Sequence, residues 1–435
     1  MVPTVIKVLS SLAVILIISQ LSHKLMLSIF VGALLLAVWT GHSPSSMLQT
    51  TLESTFSSST MMLIFVIFQV MWLSGQMDKS GVMKELVVAI RERVSHRMSM
   101  AVIPAVIGLL PMPGGAIFSA PLVDSCDAEK NISPEQKTQI NFWFRHIWEY
   151  WWPLYPGILL TVEICHVPLW QIVAVQFPIT LFQITIGYFW LLRKIPHAKN
   201  GKNINAAAPK TKLLPLFLPI FIIVGTYALI LAAHSILQHF TGRIFTMNKY
   251  LPMCIGLFIA MFVLNINRPL EFSTWKKIIF SKRAFVFAGI VLAVRIYGGF
   301  ISAKLPNGDM VVDLMRSEMF QWGFPVLAAV VILPFICGLT TGITVGFVGA
   351  SFPIIVSLLL AGTNISTAYF LGTIAVAFYA GYAGVLLSPV HVCMIVTSEH
   401  FKTKLINNIA VLALPVGIAM AATFLWRYVV IAIWG

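Results

Sequence analysis

Charged residues are scarce in this chain: they make up 10% of its 435 residues, and only 15 are Asp or Glu. Soluble globular domains are about one-quarter charged, so the composition excludes a soluble protein. Apolar sequence takes the place of charge, with 58% hydrophobic residues and a mean hydropathy of +0.89. Apolar runs such as LMLSIFVGALLLAVW recur along the chain and predict an all-α polytopic membrane protein with about nine crossings and two further, re-entrant segments.

Motifs of catalysis and of nucleotide or metal binding are also missing. The five cysteines stand singly without CxxC spacing, which predicts neither disulfides nor a metal site. A Walker-type phosphate loop is absent, so nucleotide-driven transport is disfavoured, and so are the hydrolase motifs GxSxG, HExxH and GxGD. We therefore predict that the chain is not an enzyme and needs no cofactor, apart from a coupling H⁺ or Na⁺.

Positive charges outnumber negative ones by 14, but they lie in short loops between apolar segments. Membrane topology explains such loops, and nucleic-acid binding is disfavoured. Residues 193–212 hold six Lys or Arg and no acidic residue, so we place this linker in the cytoplasm. It separates an N-terminal membrane repeat, residues 1–192, from a C-terminal one, residues 213–435. The first apolar stretch lacks a signal-peptide cleavage site, and we expect it to be retained as a crossing.

Two apolar segments, residues 101–126 and 324–360, are interrupted near the middle by Pro and Gly, which end or kink helices. If each segment enters and leaves the membrane on the same side, most of the basic loop residues fall on the cytoplasmic side. We therefore predict re-entrant hairpins; a kinked spanning helix is the alternative. A shift of 232 residues overlays GGAIFSAPL on the FVGASFPI region, and a shift of 236 places Pro153 on Pro389. With the first hairpin opening inside and the second outside, this predicts an inverted-topology repeat.

Unwound backbone is predicted at four places, the hairpin tips at 111–115 and 340–349 and the helix breaks at 152–157 and 381–389. In secondary transporters such elements meet at the membrane midplane, where half-helix N-termini hold anions and unwound carbonyls hold coupling cations. The predicted substrate-binding residues are Pro113, Gly114, Gly115, Ser119, Arg145, Glu149, Tyr155, Thr340, Thr341, Thr344, Gly346, Ser388 and His391.

Ionisable residues at membrane depth are costly, so each is a functional candidate. Arg145 is predicted to bind a substrate carboxylate or phosphate, and Glu149 to act in coupling; an i, i+4 ion pair that merely neutralises itself is the alternative. His391 either titrates or caps backbone, and His146 is expected to be satisfied by packing. Glu163, near a segment end, is expected to be solvated at the interface. The coupling candidates are Glu149, His391 and Asp124.

Three long motifs, LLPMPGGAIFSAPLVDS, FRHIWEYWWPLYPG and LLSPVHVCMIVTSEHF, resemble the domain-of-unknown-function 401 family of integral membrane proteins. That family is grouped with the ion transporter superfamily, which includes gluconate permeases and dicarboxylate and citrate carriers. The resemblance implies two opposed hairpins, two broken helices, elevator-type alternating access and a homodimer. Neither tip has the Ser-Asn-Thr triplet of the sodium-coupled dicarboxylate carriers, so proton coupling is preferred.

Together these features predict a secondary active transporter of a small organic anion, driven by a cation gradient across the bacterial inner membrane. Its expected partners are the anionic solute, the lipid bilayer and a second copy of the chain. A passive channel or an exporter for a small solute is the alternative. An intramembrane enzyme acting on a lipid-linked substrate is disfavoured, because the sequence shows no nucleophile or metal cluster.

Overall fold

The computed structural model describes residues 2–109, 115–127, 131–193, 195, 212–242, 246–305, 308–361 and 365–435, and every regular element among them is a helix. The predicted all-α fold is confirmed. The helices before the basic linker are α1 (Thr4–Ser22), α2 (Leu25–Trp39), α3 (Pro44–Phe56), α4 (Ser58–Lys79), α5 (Val82–Arg91), α6 (His96–Gly108), α7 (Ala116–Asp124), α8 (Pro134–Arg145), α9 (Pro156–Cys165) and α10 (Leu169–Gly187), which a π-helical turn at Tyr188–Leu192 prolongs.

The helices after the linker are α11 (Leu214–Thr241), α12 (Leu251–Asn267), α13 (Phe272–Ile279), α14 (Lys282–Ile301), α15 (Val311–Gln321), α16 (Val326–Thr341), α17 (Thr344–Leu360), α18 (Thr367–Leu386), α19 (Val392–His400) and α20 (Leu405–Trp434). Several helices of both halves begin directly after a serine at the N-cap position. The serine hydroxyl accepts a hydrogen bond from a backbone N–H of the first turn and so fixes where the helix starts. These serines are Ser43, Ser57, Ser95, Ser133 and Ser366.

By length and composition this is a multi-pass membrane protein. Seven helical stretches of the described residues could cross a membrane: Thr4–Ser22, Ser58–Lys79, Leu169–Leu192, Phe217–Thr241, Phe272–Ile301, Thr367–Leu386 and Leu405–Trp434. An eighth is added if α15 and α16, bent by 112°, count as one span. The number expected from sequence is higher because α2 and α12 are apolar but have only 15 and 17 residues. A 17-residue helix rises about 25 Å, less than the ~30 Å of a hydrocarbon core.

Helix α18 forms the centre of the bundle. It is buried along almost its entire length and packs against α10, α16, α17 and α20. At the other extreme, α11 exposes large apolar side chains, among them Phe221, Leu229 and Phe240. A helix that exposes apolar side chains in this way suits contact with lipid.

Two helix pairs lie where the sequence predicts hairpins. Helix α6 packs against α7, although their link at 110–114 lies outside the described residues, and α16 packs against α17 through a turn at Gly342 with φ of +65°. In addition, α6 packs on α8 and α16 on α18, while α7 packs on α19 and α17 on α9. Each pair therefore contacts helices of both halves of the chain.

The helix breaks differ in position from the expected ones. Helix α8 already ends at Arg145, so the first break covers residues 146–155 and includes Glu149. Helix α18 continues through Gly381 to Leu386, and the second break is confined to residues 387–391. Gly381 serves packing here and does not break the helix, since a Cβ on it would lie 2.2 Å from the ring of Phe347.

Candidate functional site

The two helix breaks meet at a pair of buried histidines. His146 follows the last residue of α8, and His391 is the N-cap residue of α19. Their side chains are almost inaccessible, and their Nε2 atoms lie 3.0 Å apart. The Phe142 ring packs against both imidazoles, and the Tyr382 hydroxyl donates to the carbonyl oxygen of His146. The histidine pair thus joins the N-terminal and C-terminal halves of the chain.

Backbone carbonyls fix the orientation of both imidazole rings. The Nδ1 atom of His146 lies 2.6 Å from the carbonyl oxygen of Phe142, and that of His391 lies 2.7 Å from the carbonyl oxygen of Gly342. A carbonyl oxygen can only accept, so each Nδ1 is the protonated, donating nitrogen. In two neutral rings both Nε2 atoms then carry lone pairs that face each other. Two facing lone pairs repel each other, so this arrangement suits a proton or another cation between the nitrogens.

Charged groups of both signs surround the histidine pair. One oxygen of Glu149 accepts a hydrogen bond of 3.1 Å from the Thr344 hydroxyl, and the other lies 3.8 Å from Nε2 of His146. The Arg145 side chain is buried near the side chain of Cys393. A buried charge is stable only beside opposite charge and hydrogen-bonding groups, so these residues form one coupled cluster.

Aromatic side chains of the first break satisfy the end of α6. The last carbonyls of a helix have no partner within it and are costly to leave unpaired at membrane depth. The donors and carbonyl acceptors are Trp148 Nε1 to Ala105 (2.6 Å), Trp152 Nε1 to Leu109 (3.0 Å) and Tyr155 hydroxyl to Gly108 (2.5 Å). The Ser388 hydroxyl does the same for Leu339 at the end of α16, at 2.7 Å. Tyr155 also lies within hydrogen-bonding reach of Arg145.

Three helices begin beside the cluster. Gly157 in the first turn of α9 is so close to Thr344, the first residue of α17, that a Cβ on the glycine would lie 2.9 Å from Cγ2 of the threonine. A Cβ on Gly342 would lie 3.1 Å from the backbone nitrogen of His391, where α19 starts. Among the described residues no side chain of the N-cap position caps any of these three helices. Their partial positive charges therefore meet beside the cluster of Glu149 and the two histidines.

The first predicted hairpin tip is only partly described. Pro113 and Gly114 lie outside the described residues, and Gly115 is the N-cap residue of α7. Ser119, one turn further along α7, is fully buried, and its hydroxyl has no hydrogen-bond partner in the described part of the chain. An unsatisfied buried hydroxyl is costly and favours a ligand atom at this point.

The second tip is held together by its own residues. The hydroxyls of Thr340 and Thr341 donate to carbonyls of the preceding turn of α16. A Cβ on Gly346 would lie 2.5 Å from the Thr341 hydroxyl, so glycine is needed there. Of the predicted tip residues that the structure describes, Thr344 is the one whose side chain bonds to the charged cluster, through Glu149.

A family model described as "Protein of unknown function (DUF401)" matches residues 4–431, nearly the whole chain. The chain belongs to the DUF401 family. No curated protein matches the sequence. Membership confirms the family resemblance seen in the motifs, while the link to the ion transporter superfamily stays a prediction. The family description names no activity, so function has to be inferred from the site.

In this DUF401 protein, Asp124 lies at the C-terminal end of α7, with its side chain half exposed. Its carboxylate pairs with Lys137 at 2.9 Å, and the same ammonium group pairs with the buried Asp127 at 2.8 Å. Burial raises the pKa of Asp127, but hydrogen bonds from Lys137 and from the amides of Asn131 and Ile132 outweigh it and hold the pKa below its ordinary value. The structure therefore places Asp124 in a surface ion pair, outside the residues that surround the histidines.

A second buried charge cluster lies at the far end of α9. Glu163 is 1% exposed, so the expected solvated position is wrong. It pairs with Lys249 at 2.8 Å and with Arg295 at 3.4 Å, and it accepts a hydrogen bond of 2.8 Å from Tyr250. Sequence reasoning missed this cluster because its cations come from distant parts of the chain. Arg295 and Asp313 also line a cavity of about 370 Å³ between α9, α14, α15 and α17.

Two residues of this cluster, Cys393 and His146, are not among the predicted site residues. The sulfur of Cys393 lies within 4.8 Å of ring nitrogens of His146 and His391, and its side chain lies near Arg145. The available signal was the spacing His391-x-Cys393 directly after a predicted helix break, but a single His-x-Cys is too common to be specific. Its meaning depends on His146, which comes from the other half of the chain.

Proposed function

We propose that this DUF401 protein is a secondary active transporter that moves a small organic anion by alternating access, coupled to a cation gradient across the bacterial inner membrane. The observation that carries the proposal is the meeting of three helix N-termini beside the cluster that holds the buried Arg145 and Glu149. Helix N-termini and guanidinium groups both bind carboxylates and phosphates. Among the described residues Glu149 is the one carboxylate beside them, so the electrostatic balance of the cluster favours an anion.

In this proposal the anion binds to Arg145, and neutral donors complete its coordination. The Tyr155 hydroxyl lies beside the guanidinium, and the Ser119 hydroxyl is buried without a partner in the described residues. The coupling candidates Glu149 and His391 belong to the same cluster, so the driving ion and the substrate would share one chamber. Co-transport of a cation lowers the cost of carrying an anion through a low-dielectric site.

Alternating access would use the two helix pairs α6–α7 and α16–α17. Each contacts both halves of the chain, so a shift of one pair changes the surroundings of the cluster from one side. The resemblance to the ion transporter superfamily favours two opposed hairpins of an inverted repeat, an elevator-type motion and a homodimer. The basic linker at 193–212 would then lie in the cytoplasm.

Uptake into proteoliposomes tests this function. A panel of labelled carboxylates and phosphates is offered with an imposed proton or sodium gradient, and we expect saturable accumulation of at least one anion that collapses when an ionophore dissipates the gradient. If neither gradient alters the accumulation of any anion, coupled transport is refuted. Single-channel conductance in a planar bilayer, with flux that does not saturate, would establish the passive channel instead.

A further inference from the structure

Three side chains that commonly bind metals meet at the histidine pair. The ligand atoms of His146, His391 and Cys393 all lie within 4.8 Å of one another, and all three residues are buried. They come from the segments FRHIWE and SPVHVC, far apart in sequence. We propose that these side chains bind a divalent transition-metal ion of the zinc type, with Glu149 as the fourth ligand. This inference does not rest on the transport function proposed above, but a metal bound by His391 and Glu149 would exclude these two side chains from proton coupling.

The hydrogen bonds at the far side of each ring support a metal site. Histidines that bind a metal through one nitrogen almost always donate the other N–H to a carbonyl or carboxylate, which fixes tautomer and orientation. Both Nδ1 atoms do so here, at 2.6 and 2.7 Å from carbonyl oxygens. The two Nε2 atoms are left with lone pairs that face each other. Nitrogens bound to one tetrahedral zinc lie about 3.3 Å apart, so the observed 3.0 Å requires a movement of only a few tenths of an ångström.

The surroundings of Cys393 suit a negatively charged sulfur, the form that binds metals. Cys393 is the second residue of α19, where the helix dipole stabilises negative charge. The buried guanidinium of Arg145 lies near the same sulfur and adds positive charge to its surroundings. Arg145 would thus act as an outer partner of the ligand, as hydrogen-bonding groups do around other metal sites.

Glu149 completes a four-ligand set. Its Oε1 atom lies 3.8 Å from Nε2 of His146, and its Oε2 atom is held by the Thr344 hydroxyl at 3.1 Å. Two imidazoles, one thiolate and one carboxylate form a tetrahedral set that zinc and cobalt accept. Calcium and magnesium are disfavoured, because they take oxygen ligands. A metal here would link the break after α8 to the break before α19.

A proton shared by the two Nε2 atoms is the competing occupant, and cobalt spectroscopy distinguishes the two. Full-length protein is purified in detergent without a polyhistidine tag, stripped with a chelator and titrated with Co²⁺. We expect one Co²⁺ per chain, with a thiolate-to-cobalt charge-transfer band in the near ultraviolet and the intense visible bands of tetrahedral cobalt. Added Zn²⁺ should abolish both. A wild-type protein that gives no such bands overturns the proposal and leaves the shared proton.

Variants locate the ion. Cys393→Ser should lose the charge-transfer band, while Cys254→Ser, an equally buried cysteine on α12, should keep it. His146→Gln should weaken Co²⁺ binding by at least about tenfold. Loss of the band in both cysteine variants, or in neither, contradicts the assignment. If Cys393→Ser does not elute as a folded protein, X-ray absorption of the zinc-loaded wild type decides, since the site requires one sulfur neighbour and a sulfur-free shell refutes it.

Discussion

Gly108 lies so close to Arg145 that a Cβ on the glycine would be 2.1 Å from the arginine carbonyl oxygen. The second half repeats this contact: a Cβ on Gly338 would be 2.0 Å from the carbonyl oxygen of Gly381. Arg145 and Gly381 are 381 − 145 = 236 residues apart, the same shift that overlays the two helix breaks in sequence. The two halves therefore share a backbone contact, while only the first half places a charge there.

Substituting these glycines should destabilise the bundle. Gly108→Ala or Gly338→Ala forces a methyl group into a space filled by backbone, and we expect each to lower the free energy of unfolding by about 1–3 kcal/mol. Gly225→Ala is the matched control, because a Cβ at that position of α11 meets nothing within 4 Å. Thermal unfolding in detergent measures all three. A Gly225→Ala variant as unstable as the other two would contradict the packing argument.

Removing the Arg145 side chain should abolish anion uptake. A hydrogen bond to a charged group contributes about 1.5–3 kcal/mol, so we expect Arg145→Ala to reduce uptake by at least about tenfold. Arg427→Ala serves as control. Arg427 is also buried, donates a hydrogen bond of 3.1 Å to the Thr373 hydroxyl and lies over the ring of Tyr369 in the first turn of α18. Proteoliposome uptake is compared at equal protein. If both variants lose activity and elute as aggregates, Arg145 has a structural role.

The two ion pairs of Lys137 should contribute differently to stability, because one carboxylate is buried and the other is half exposed. Asp127→Asn leaves a buried ammonium with one partner, and we expect a loss of about 2 kcal/mol or more in unfolding free energy. Asp124→Asn makes the same chemical change at a half-exposed partner of the same lysine, and should cost less than about 1 kcal/mol. Chemical unfolding in detergent compares the two. Equal losses would show that burial does not govern this pair.

The Glu85–Arg268 pair should give a pH-dependent stability. Two hydrogen bonds from Arg268, at 2.7 and 2.6 Å, hold the pKa of Glu85 below its ordinary value of 4.5. Because the folded-state pKa is the lower one, the pair's contribution is fully present above the ordinary value and is lost as the pH falls through the folded-state pKa.

We therefore expect Glu85→Gln to lower the unfolding free energy by about 0.5–1 kcal/mol at neutral pH, a small effect because the pair is solvent-exposed. At about pH 4 the difference from wild type should shrink. Thermal unfolding at the two pH values checks this, with Glu53→Gln as control, whose carboxylate accepts a hydrogen bond from the neutral Gln49. A difference that grows on acidification would reverse the assigned sign.

Much of the site was predictable because charge at membrane depth is conspicuous. Arg145, Glu149, Tyr155, Thr344 and His391 were all proposed as site residues, and the structure brings them into one cluster. The helix breaks lie at other positions than predicted. The glycine and proline content of a segment does not show whether a glycine unwinds the helix or packs against a neighbouring helix.

His146 illustrates a different limit of sequence reasoning. It was expected to be satisfied by packing, yet its Nε2 faces that of His391. Asp124, a predicted coupling candidate, lies at the end of α7 and pairs with Lys137 of α8, and its part in coupling stays a prediction. Both outcomes depend on which helix lies beside the residue, and that information is spread over the whole chain.

The sequence by itself determined the all-α class, the multi-pass character and the few residues that bring charge into apolar surroundings. These properties follow from hydropathy, which is a sum over neighbours along the chain. Only the tertiary structure decided that ligand atoms of His146, His391 and Cys393 lie within 4.8 Å of one another, and that three helices begin beside them. Such meetings depend on the packing of side chains from helices far apart in sequence, where shape and not composition selects the partner.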